Sequence, residues 1–118
     1  MINQITDGMK TFAENVFEKD RYLMNVEYFQ YFGNYKEQLG EVDIMGYVDD
    51  RLWVVEYKMT ERKHTRKKAT QQLFKHRKYV VPTGSKYALV IASKDLHFEV
   101  IEAGIKPSIS YSTQSPRK

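Results

Sequence analysis

The chain has 118 residues, with 19 Lys and Arg against 15 Asp and Glu, and it contains no cysteine. That length suits one domain around one modest core. The lack of cysteine excludes disulfides and thiolate metal sites, and His64, His76 and His97 are too scattered for a zinc centre. No apolar run approaches membrane-spanning length and no signal peptide is visible, so the expectation is a soluble, cytoplasmic protein without a membrane partner.

Residues 4 to 19 place Ile5, Met9, Phe12, Ala13, Val16 and Phe17 at helical spacing, which predicts an amphipathic helix started by Thr6 or Asp7. Glu14 and Glu18 lie beside that stripe. Residues 21 to 32 are rich in Tyr and Phe and predict a long strand. Its rings are expected in the core and on the sheet surface, with stacking on unpaired bases as the functional alternative. The polar stretch from Gly33 to Gly40 predicts a loop.

Residues 40 to 58 organise the chain. They read as two strands joined by a turn at Asp49-Asp50. The second strand runs from Leu52 to Met59 and is apolar on both faces, as in the middle of a covered sheet. Side chains alternate, so Leu52, Val54, Glu56 and Lys58 share one face. Closing the hairpin brings Asp43 near Glu56, with Glu41 flanking Asp43. Two carboxylates about 4 Å apart repel by roughly 4 kcal/mol at an effective dielectric near 20. A divalent cation removes that repulsion, and magnesium favours one or two carboxylates completed by water and phosphate oxygens. Lys58 beside such a site can orient or activate a water. A surface salt bridge between Glu56 and Lys58 on an edge strand is the plain alternative.

The next stretch is basic: Arg62, Lys63, Arg66, Lys67, Lys68, Lys75, Arg77 and Lys78. Its second part predicts a helix that Pro82 stops. A helical wheel gathers Ala69, Leu73, His76 and Val80 on one side with Gln72 at its edge, and sets Lys67, Gln71, Lys75 and Lys78 opposite. Acidic residues outnumber basic ones up to Tyr57 and the reverse holds from Lys58 onward, which points to a cationic surface for a polyanion. Tyr87 to Ala92 predicts a buried strand, His97 to Ile101 an edge strand, and the Ser-rich residues 106–118 a flexible tail after a single domain at 1–105.

Asp43, a spacer and then Glu56-Tyr57-Lys58 resembles the signature of the PD-(D/E)xK nuclease superfamily, with Val42 in place of the proline. The order helix, three strands, helix, strand is similar to that superfamily's restriction endonuclease-like αβββαβ core, so the fold class expected is α/β with a mixed central sheet flanked by helices. The size and layout are similar to archaeal-type Holliday junction resolvases. The resemblance implies a metal-dependent DNA endonuclease acting in recombination or repair. Asp43, Glu56 and the Tyr57 carbonyl would hold Mg2+, for which Mn2+ would substitute. Lys58 would serve the attacking water and Gln72 would orient it. Glu14, from a first helix whose opening Gly8-Met9-Lys10-Thr11-Phe12-Ala13-Glu14 is similar to that of resolvase-like members, would either complete the site or stay solvated. Arg62, Lys63, Arg66, Lys67, Lys68, Gln71, Lys75 and Lys78 would hold the DNA backbone. A resolvase would act as a homodimer, with the first strand or the C-terminal strand as its face. The rival class is a non-catalytic nucleic-acid-binding protein or nuclease subunit of the same fold.

Overall fold

The computed structural model describes residues 4–59 and 62–107. The tail from residue 108 onward, and the side chains of Ile5 and Thr6, lie outside that part. The elements are α1 (Gln4–Val16), β1 (Tyr22–Phe32), β2 (Tyr35–Val48), β3 (Arg51–Tyr57), α2 (Lys63–Val80), β4 (Lys86–Ala92) and β5 (Phe98–Ile105). They form an α/β fold with one five-stranded mixed sheet in the order β1-β2-β3-β4-β5. Only β3 and β4 run parallel, because α2 carries the chain between them; the other neighbours are antiparallel.

The two helices cover opposite faces. Met9, Phe12, Ala13 and Phe17 of the α1 region pack on Ile44, Val55, Tyr57, Ala88, Val90 and Ala92. Leu73 of α2 packs on Val42, Leu52, Val54, Tyr87 and Leu89. This is why β3 is apolar on both faces, as its composition predicts. Phe12 and Leu73 are fully buried, and each such side chain contributes about 1.5–3 kcal/mol by leaving water. Gly8 lets α1 approach the sheet closely: a Cβ there would stand 2.2 Å from the Tyr57 hydroxyl.

Three expectations change. Helix α1 begins at Gln4, so Asp7 lies in its first turn instead of capping it. Residues 35–40 are not a loop; they extend β2, and the hairpin turns tightly at Gly33-Asn34, with Gly33 at φ 63°. Lys106, expected at the start of a flexible tail, is tied to the end of α2. The Lys106 ammonium donates to the carbonyls of Arg77, Lys78 and Val81, which satisfies acceptors left open at the end of α2. The helix needs that partner because its last turn has no further N–H groups to offer.

Candidate active site

Antiparallel pairing of β2 with β3 runs from Val48↔Arg51 to Ile44↔Val55. The next step of that register sets Asp43 opposite Glu56. There the ladder changes character: the Tyr57 backbone N–H donates to Asp43 Oδ2 at 2.8 Å. The neighbouring ladder is irregular at the same level. β1 pairs Met24↔Ile44 and Val26↔Val42, and Asn25 between them sits at φ 55°. Val42 and Ile44, two apart on one strand, accordingly pack in different clusters. Such irregularities rotate a strand and re-aim a side chain, and here the side chain at the rotation is Asp43.

Glu56 is buried, with 3 % of its surface exposed. Both its oxygens have cationic or N–H neighbours. His76 Nε2 stands 3.0 Å from Oε2, and Lys58 Nζ lies 3.6 Å from Oε1. A carboxylate only accepts, so Nε2 carries the proton. On the far side of the ring, His76 Nδ1 meets the Tyr28 hydroxyl at 2.8 Å. Burial, then the charge of Glu56, then Tyr79 push the Tyr28 hydroxyl up to about 12, which keeps it a proton donor. Tyr28 reaches His76 by lying across Gly40, where a Cβ would stand 2.4 Å from its hydroxyl.

Lys58 follows the last residue of β3. Its backbone N–H donates to the Ala92 carbonyl at 2.8 Å, and its ammonium donates to Gln72 Oε1 at 3.3 Å. Gln71 is exposed. Gln72, which the wheel set at the edge of the sheet-facing side, is the glutamine that reaches Lys58. A cleft of about 150 Å³ opens beside Lys58, lined among others by Arg66, Ser93, His97 and Glu99.

Burial foremost, then the charge of Glu56, raises the Asp43 carboxyl to about 6, against lowering by the Tyr57 N–H and Lys58. Asp43 Oδ1 makes no hydrogen bond among the described residues. Two facing acids with one open oxygen and a solvent-reaching lysine suit a hard divalent cation that keeps most of its water. Among the described residues no three His, Asp or Glu side chains converge as a complete protein cage.

The remaining predicted residues are more dispersed. Glu14 and Glu41 are exposed, and Glu14 lines a surface depression with Phe17, Lys19 and Tyr22 instead of joining Asp43 and Glu56. Arg62, at the start of α2, and Lys63, Arg66, Lys67, Lys68, Lys75 and Lys78 along it are all exposed. Arg66 pairs with Glu99, and Lys75 donates to the Leu39 carbonyl. Lys63, Lys67 and Lys68 form no ion pair among the described residues, so α2 retains an uncompensated basic face.

His76 and Tyr28 are the site residues that sequence reasoning missed. The wheel put His76 on the buried side of α2 without a partner. A buried histidine facing a strand that ends in a buried glutamate was the available signal. The chain matches no family model, no curated protein and no solved structure.

Proposed function

We propose that this chain is a divalent-metal-dependent nuclease that hydrolyses DNA phosphodiester bonds. The observation that carries the proposal is the facing pair Asp43 and Glu56 at the buried end of the central strands, with Lys58 and Gln72 joined beside it. Asp43, Glu56 and the Tyr57 carbonyl would hold Mg2+ or, in its place, Mn2+. The cation would neutralise the two acids and polarise the scissile phosphate.

The chain's own groups do the rest. His76 holds Glu56 Oε2 inward, leaving Oε1 on the side of Lys58. Gln72 accepts from the Lys58 ammonium through Oε1, and its amide N–H groups would donate to a phosphate oxygen or the attacking water. The open face of α2 neutralises neighbouring phosphates, so binding is salt-dependent and carries little sequence readout. The αβββαβ order, read with the Asp43 and Glu56-Tyr57-Lys58 spacing, supports placement with restriction endonuclease-like PD-(D/E)xK enzymes. Holliday junction resolution by a homodimer, in recombination or repair, is the subtype proposed.

A second reading, a non-catalytic DNA-binding protein of the same layout, draws on one observation: no third acid joins the pair among the described residues. The test is cleavage of labelled duplex, single strand, flap and four-way junction with Mg2+, with Mn2+ and with chelator. Metal-dependent cutting that falls at least about a thousand-fold in Glu56→Gln and in Lys58→Ala is expected. Binding without cutting in either metal would select the second reading.

A further inference from the structure

The β1–β2 hairpin continues well past the sheet. After a register shift between Tyr28 and Phe29, the strands still pair through Phe29↔Gln38, Gln30↔Glu37, Tyr31↔Lys36 and Phe32↔Tyr35. β3 stops pairing with β2 at Ile44, so among the described residues this distal arm has no third strand beside it. Its rings face solvent: Tyr31 is 68 % exposed, Tyr35 59 % and Phe32 46 %. Directly paired residues share a face, so Tyr31 and Lys36 stand on one side of the ribbon and Phe32 and Tyr35 on the other. The Lys36 ammonium lies 4.4 Å from the centre of the Phe29 ring. Phe32 and Tyr35 stack with centroids 5.6 Å apart at 28°. Each face thus presents flat π surface, and one of them adds a cation.

Exposed rings held this way call for an occupant. A second copy of the chain is a poor one. At about 200 Å² per aromatic side chain, these exposures leave about 350 Å² of ring surface, less than half of the about 800 Å² that each partner of a stable dimer buries. The root of the arm argues for nucleic acid. Tyr28, the last residue before the shift, meets His76, which holds Glu56. Leu39, on the opposite strand, accepts from Lys75 of the basic α2 face. A strand of DNA lying along α2 with its phosphate at Lys58 would therefore meet the arm next.

We propose that the arm, residues 29–38, is a stacking platform for unpaired nucleobases, so that the preferred substrate is DNA carrying unpaired or splayed bases beside the cleavage point. The inference rests on the nucleic-acid reading of the site and names its substrate class. Stacking tolerates any base because every base has a π face.

The test is binding by the full chain in chelator, where cleavage plays no part. One ligand is a fully paired duplex; the other is a splayed fork of the same length with 2-aminopurine at its first unpaired position. The Tyr31→Leu/Tyr35→Leu pair keeps apolar bulk and removes the most exposed ring from each face of the arm. It is expected to weaken fork binding about ten-fold, leave duplex binding unchanged and reduce quenching of the 2-aminopurine. Tyr35→Trp, which keeps a ring, is expected to bind the fork as wild type does. Equal losses on both ligands would overturn the proposal, as would unchanged fork binding. A shift from dimer to monomer in sedimentation velocity with fork binding intact would give the arm to self-association instead. If the wild-type chain bound neither DNA, the arm proposal and the nuclease proposal would both fall; if it bound DNA and the ring variants matched it, only the arm proposal would.

Discussion

Strands β1 and β2 serve two regions of opposite character. Their inner halves lie in the sheet beneath the helices, where Val42 and Ile44 are wholly buried and Asp43 meets Glu56. Their outer halves form an exposed arm whose pairs, among the described residues, carry no second layer. The boundary is the level of Tyr28 and Gly40, where the register shifts. Inside it, a buried polar group such as the Glu56 carboxylate needs partners, because an unmade hydrogen bond there loses its water without replacement. Outside it, water serves that purpose and rings can face solvent without a structural role. Substitutions on the inner side should therefore alter stability and chemistry together, and those on the outer side should alter recognition alone.

The largest effect expected from breaking the inner region through its missed residues is at His76. His76→Ala removes the donor to Glu56 and strands the Tyr28 hydroxyl. Mn2+ affinity, read by electron paramagnetic resonance on the DNA-free protein, should fall about 10–100-fold. His76→Gln, which restores a donor, should recover part of it, and Tyr28→Phe should give a smaller loss. Mn2+ affinity unchanged in His76→Ala would leave the histidine a packing residue.

Asp43→Asn sharpens the contrast by separating stability from activity. The amide oxygen can still accept from the Tyr57 N–H, but the charge facing Glu56 is gone. In wild type the folded carboxyl titrates near 6 against 3.8 for the free side chain. A raised value means that folding favours the protonated form. The group's stabilising contribution is present below the unfolded value and is lost as pH rises through about 6. Without metal, Asp43→Asn should equal wild type near pH 3 and exceed it at pH 7 by about 2 kcal/mol, after discount for partial exposure. Denaturant unfolding at the two pH values checks this. Added Mg2+ should stabilise wild type and not the variant. A variant less stable than wild type at pH 7 would mean that the Asp43 charge is already compensated.

On the basic face, changing Lys63, Lys67 and Lys68 together to Gln should flatten the salt dependence of DNA binding by up to about 0.9 in slope for each phosphate that is no longer neutralised. Folding should be unaffected, since none of the three forms an ion pair among the described residues. An unchanged slope would move the DNA path off α2. The smallest effect belongs to the arm. Tyr31→Ser should shift unfolding free energy by no more than about 0.5 kcal/mol, measured beside His76→Ala, for which a loss of about 1–3 kcal/mol is expected from the stranded partners. A large loss at Tyr31 would show the arm to be part of the core.

The primary sequence was enough to read the element order, the central placement of β3 and the shared face of Glu56 and Lys58. Each follows from periodicity along a few neighbouring residues, and periodicity survives folding because side-chain direction is tied to backbone geometry. The wheel separated Gln72 from Gln71 for the same reason. Other features needed the folded chain. Tyr28 and His76 are 48 residues apart, and His76 and Glu56 are 20 apart; no local pattern says which distant partner a buried histidine will meet. The stretch from Tyr35 to Gly40 is polar because it is exposed, and polarity alone does not distinguish an exposed strand from a loop. Lys106 looks like the start of a tail until the open carbonyls at the end of α2 come within its reach. Local sequence encodes which way a side chain points, whereas the partner it finds there depends on how the sheet brings separate segments together.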